Sequence, residues 1–157
     1  MTLHQCNISV SIDDVRKICL QHFAAVSAAL CGTLLSGLNS PEVSFEQGLV
    51  SLSAKKKVPL LGELSVSAKV RPGIAADGQS LRLTLEKVAA GPLETGTLSR
   101  LIMSKVSERV STIPGCRVDG GDLLINLRSV VATKGVELVG RITSVNMLSN
   151  AIAISVA

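Results

Sequence analysis

The 157-residue chain has no tryptophan, no tyrosine and only two phenylalanines, Phe23 and Phe45. Without flat rings it lacks most of the stacking platforms that single-stranded nucleic acid requires. Its net charge of +4 is scattered apart from Lys55-Lys56-Lys57, far short of the basic stripe of a nucleic-acid-binding protein. Nucleic acid is therefore not an expected partner. Histidine is scarce as well, with only His4 and His22 available as imidazole bases. No G-x-S-x-G, phosphate-binding P-loop or G-x-G-x-x-G occurs. The cysteines, Cys6, Cys19, Cys31 and Cys116, form no C-x-x-C and no zinc spacing. Cys19 and Cys31 fall on one predicted helix at about 18 Å of rise, too far apart for a disulfide. They read as small buried hydrophobes in a reducing compartment. His22 follows Cys19 by one helical turn, but no other cluster supplies further metal ligands. The carboxylates Asp13, Asp14, Asp119 and Asp122 sit where helix starts and turns want them. The expectation is a protein that is not an enzyme and needs no cofactor or metal.

Long hydrophobic runs are also missing. The segment considered for a span, "FAAVSAALCGTLLSGL" at 23–38, has 16 positions with polar Gln21 and His22 at one end, below the ~20 of a transmembrane helix. The first charges, Asp13 and Asp14, have the wrong sign for a secretory leader. Cytoplasmic residence is the default expectation, with membrane association or export if a natural precursor carries an anchor.

What is present is aliphatic. Apolar residues make up 46% of the chain and charged ones 18%, the balance of a globular domain and not of a disordered one. A chain this long buries roughly 70% of its unfolded surface and folds without a staple, so residues 1–157 are expected to form one domain. Ser11 is a natural N-cap, with Asp13 and Asp14 in the first turn. Ile12, Val15, Ile18, Cys19, Val26, Leu30 and Leu34 recur at helical spacing until Asn39-Ser40-Pro41. The second half of that helix is apolar nearly all round and so should be covered on most sides.

The period then changes from 3.6 to 2. Val43 and Phe45; Val50, Leu52 and Ala54; Leu64, Val66, Ala68 and Val70; and Leu81, Leu83 and Leu85 each alternate with polar neighbours. Turns are expected at Gln47-Gly48, Pro72-Gly73 and Asp77-Gly78, and Gly91-Pro92 should break the sheet. A second amphipathic helix is expected from about Glu94 to Thr112. A hairpin around Asp119-Gly120-Gly121-Asp122, a helical turn over 129–134 closed by Gly135, and a last hairpin around Ser149-Asn150 complete the chain. The order of elements predicts an α+β fold with helices against an antiparallel sheet.

Two stretches, "VSFEQGLVSLSAKKKVPLLGELSVSAKVRP" and "GQSLRLTLEKVAAGPLETGTLSRLIMSKVSERVSTIPGCRVDGGDLLINL", carry a further signal. In hydrophobic pattern and turn placement they resemble the LmeA-like (DUF2993) family of TULIP-like lipid-binding domains, over about half the chain. The resemblance implies a curved antiparallel sheet of about six to eight strands wrapped around the long N-terminal helix, with the second helix beside it. It also implies an apolar groove for a lipid or other apolar small molecule, faced by Val26, Leu30 and Leu34 and enclosed by Leu64, Val66, Leu83, Leu101 and Val106. Lys55-Lys56-Lys57 would suit an anionic membrane surface, although such a run is more often a solvated strand edge that discourages edge-to-edge pairing. The same aliphatic composition suits a second reading, a structural or interaction module that self-associates as a homo-oligomer and holds no ligand.

Overall fold

The computed structural model describes residues 2–3, 5–17, 42–58, 62–90, 93–94, 100, 103–104, 107–108 and 110–157. Its largest element is a seven-stranded antiparallel sheet in the order β3-β4-β5-β6-β9-β8, with β7 beside β6. The strands are β3 (Glu42–Glu46), β4 (Leu49–Val58), β5 (Gly62–Ile74), β6 (Ser80–Ala90), β7 (Leu93–Glu94), β8 (Cys116–Asp119) and β9 (Asp122–Asn126). A second antiparallel sheet has the order β11-β12-β2, from β2 (Cys6–Ser11), β11 (Ile142–Met147) and β12 (Ala151–Val156). Two short strands, β1 (Thr2–Leu3) and β10 (Glu137–Leu138), pair in parallel.

The apolar alternation of the large sheet faces one side. Val43, Val50 and Leu81 are buried there against Ile142, Ile152, Ile154 and Val156 of the smaller sheet, with Leu127 and Leu138 between them. The core is thus made by packing one sheet on another, which closes the dry face of the smaller sheet against part of the larger one's. β12, the middle strand of its sheet, is buried at four of its six residues, because both of its edges and one face are occupied.

Local signals account for the element ends. Ser11 caps the helical residues 12–17: its Oγ accepts from the Asp14 backbone N–H at 3.1 Å, and its own N–H donates back to Asp14 Oδ2 at 3.2 Å. The remainder of the expected long N-terminal helix, 18–40, lies outside the described residues. A short helix, Leu127–Ala132, starts on Asn126, whose Oδ1 accepts from the Ser129 N–H at 2.9 Å. It ends in a Schellman closure: Val136 N–H reaches the Val131 carbonyl and Gly135 N–H the Ala132 carbonyl, with Gly135 at φ +71°.

Several expectations are corrected. Pro72-Gly73 is not a turn but part of β5, paired to β6 through Pro72↔Leu83 and Gly73↔Arg82. Proline is tolerated because the ladder between β4 and β5 ends at Val50↔Val70, so on that side Pro72 has no β4 partner. Glu94 does not start the second helix: it pairs with Ala89 of β6, and the sheet continues past the expected break. Helical residues are seen at 100, 103–104, 107–108 and 110. β6 runs five residues beyond Leu85 because a register shift between Lys69 and Val70 leaves Glu86 as an extra residue, and this slip hides the period from a sequence reading.

The turn at Asp77-Gly78 ties distant parts together. Gly78 C=O accepts from Ile142 N–H at 2.8 Å, and Gln79 C=O from Leu127 N–H at 3.4 Å. Asp77 accepts from the backbone N–H groups of Gln79 and Ser80 and from the Ser80 hydroxyl, each at 2.8 Å. These bonds, the Gln79 amide first, and the nearby Arg117 guanidinium hold its carboxyl below the ordinary 3.8. A depressed folded-state pKa gives stability that is complete above the unfolded value and is lost as pH falls through the folded one. Below about pH 4 the urea midpoint of the native chain is therefore expected to fall more steeply than that of Asp77→Asn. Parallel midpoint curves for the two proteins would show that Asp77 does not contribute to acid unfolding.

Candidate functional site

The inner face of the large sheet has two halves. The core cluster covers the half around Val43, Phe45, Val50, Leu52, Val70, Leu81 and Leu83. The β4–β5 ladder runs on from Val50↔Val70 to Val58↔Gly62, about 26 Å at ~3.3 Å per residue. β6 accompanies it as far as Val66↔Ala90. On this overhang the inward positions are Ala54, Val66, Ala68 and Val88. Ala54 and Val88 are each only 3% exposed, yet Val88 is not part of the core cluster. The sheet thus has a shielded aliphatic strip, largely of small side chains, distinct from the packing between the two sheets.

The described part of the second helix is one-sided. Met103, Ser107 and Val110 are half-buried, while Arg100, Ser104 and Glu108 are exposed, the spacing of an amphipathic helix.

Of the residues expected to line the groove, Val26, Leu30, Leu34, Leu101 and Val106 lie outside the described residues. Leu64 occupies a register position opposite Lys56 on β5. Val66 and Leu83 are both half-buried on the inner face, but in different halves. Val66 and the Leu83 partner Pro72 are six residues apart on β5, about 20 Å. Leu83 packs against the core, so the structure does not bring it together with Val66, which lies within the strip. Val88 was missed because the Glu86 bulge breaks the alternation that would have flagged it.

The outer face of the sheet is polar and its charges are mostly paired. Lys55 meets Glu63 at 3.2 Å, Arg71 meets Glu86, and Arg82 approaches Asp122 at 3.9 Å. The hydrogen bond between Arg71 and Glu86 holds the Glu86 carboxyl below its ordinary range and raises the arginine. These exposed pairs are a solvated face whose contribution to stability is small.

Among the described residues no group of three or more His, Cys, Asp or Glu side chains is arranged to hold a metal ion. Burial pushes the Cys116 thiol up, which keeps it a poor nucleophile. Among the described residues no helix is long and apolar enough to cross a membrane. A shallow depression of about 150 Å³ lies between the turns at 45–48 and 147–149, open to solvent and away from the aliphatic strip. Compared with protein-family models, with curated proteins and with solved structures, the chain matches none.

Proposed function

We propose that the protein binds a lipid or another apolar small molecule, without catalysis and without a cofactor, along the aliphatic strip of β4, β5 and β6. In this reading the sheet curves round the apolar segment 23–38, and the second helix closes the side, as in the TULIP-like domains that the chain resembles. The observation that carries the reading is the overhang: Ala54, Val66, Ala68 and Val88 continue the dry face beyond the two-sheet core. In this reading the small side chains of Ala54 and Ala68 would leave room for an apolar chain.

The energetics need no polar contact. Each buried methylene contributes about 0.8 kcal/mol, so ten give roughly 8 kcal/mol gross. That corresponds to about micromolar affinity before ordering costs. Lys55-Lys56-Lys57 at the end of β4 would favour loading from an anionic membrane surface.

Native mass spectrometry of the purified chain, with solvent extraction of the same sample, tests the reading. A stoichiometric mass excess that disappears on extraction, with fatty acid or phospholipid recovered, is the expected result. A ligand-free mass at every oligomeric state present would overturn it and leave the self-associating module as the function.

A further inference from the structure

We propose that β2 is a self-pairing edge, through which two copies of this chain join their three-stranded sheets into one six-stranded sheet. Besides the two-residue β7, the described strands with a single neighbour in the two larger sheets are β3, β8, β11 and β2. Three of these four carry features that discourage edge pairing. β3 has exposed Glu42 and Glu46, and β8 is four residues long with exposed Arg117 and Asp119. β11 slips register against β12 between Ile142 and Ser144, a bulge that disrupts its edge. β2, "CNISVS", has six residues with no charge, no proline and no register shift against β12.

Its backbone also points the right way. Ile12 N–H donates to the Asn150 carbonyl at 2.8 Å, one step beyond the register pair Ser11↔Ala151. Hydrogen-bonded pairs alternate in an antiparallel ladder, so Val10, Ile8 and Cys6 exchange bonds with β12. Asn7, Ser9 and Ser11 therefore turn their N–H and C=O groups to the free side, and no described strand lies there. Asp14 already accepts from the Ser11 N–H. That leaves the paired donors and acceptors of Asn7 and Ser9.

A second copy of the chain fits this edge because the edge is self-complementary. A two-fold axis at Ile8 sets Asn7 opposite Ser9 of the second copy, and Ser9 opposite its Asn7. Four backbone hydrogen bonds form. The same axis places Ile8 beside Ile8, and Cys6 beside Val10, on the face that already packs on the core. Asn7 and Ser9 meet on the exposed face, and no charge opposes another.

The test is sedimentation velocity of the full chain over a concentration series up to about 100 μM. The native chain is expected to sediment as a dimer at the upper end. Ser9→Pro is expected to be monomeric with an unchanged far-UV circular dichroism spectrum, since the lost N–H lies outside the β12 ladder. Ser9→Lys, which leaves the backbone intact, is expected to weaken self-association at least about tenfold and serves if the proline variant does not fold. A native chain that stays monomeric throughout, or a dimer that persists unweakened in Ser9→Lys, would overturn the proposal.

Discussion

Ile154→Ala is expected to lower the free energy of unfolding by about 3–4 kcal/mol. Ile154 is 2% exposed in the middle strand of the smaller sheet, with Ile8 as neighbour on one side and Val145 on the other. Its removed carbons face the large sheet across the core. Both sheets are held by backbone ladders, so neither can close on the void, and the cavity cost adds to the lost transfer energy. A domain of this size is typically stable by 5–15 kcal/mol, so the loss takes a large share. Urea unfolding followed by circular dichroism measures it. A shift below about 1 kcal/mol would mean that the smaller sheet does not pack on the larger one as described.

Gly115→Ala is expected to cost roughly 3 kcal/mol, for a different reason. Gly115 has φ +83°, a conformation that disfavours any Cβ by about 1–2 kcal/mol. The space is closed as well: an added Cβ would lie 2.6 Å from Ser129 Cβ and 3.0 Å from the Asn126 carbonyl oxygen. The close approach is needed because Gly115 C=O accepts from Asn126 N–H at 2.7 Å, tying the entry of β8 to the cap of the short helix. Ser129→Gly removes the nearest clashing atom but not the backbone strain. In a double-mutant cycle the pair is therefore expected to cost at least about 1 kcal/mol less than the sum of the single changes. Strict additivity would place Gly115 away from the short helix.

Much of the sheet was legible because its determinants are local. The alternation at Val50, Leu52 and Ala54, and again at Val66, Ala68 and Val70, marked β4 and β5 on the correct face. Turn residues placed the hairpins at Asp119–Asp122 and at Ser149-Asn150. Ser11, with Asp14 three residues on, located a helix start, and Gly135 marked a helix end. The errors arose where a neighbour outranks a local preference. Pro72 ends a strand in isolation, but here it lies past the end of β4, where no bond to that strand is lost. Glu86 and Lys87 break the period of β6, but a bulge absorbs the extra residue and Val88 returns to the dry face. β2 went unseen because its six residues contain little beyond Ile8 and Val10 to mark them as apolar, and its pairing partner lies at the other end of the chain.

The candidate site divides along the same line. The sequence by itself determined which side chains face one way: periods of two and of 3.6, caps and turns act over a few residues. It also determined that the dry face is aliphatic and, at Ala54 and Ala68, small. Which part of that face is closed by the smaller sheet, and which continues as a separate strip, was decided only by tertiary structure. Leu83 and Val66 have the same phase and nearly the same environment in sequence, yet Leu83 packs on the core while Val66 lies on the overhang. The difference comes from where β12 packs, and its Ile154 and Val156 follow Val50 by more than a hundred residues. Local preference cannot carry information over that separation; only the packing of two complete sheets against each other does.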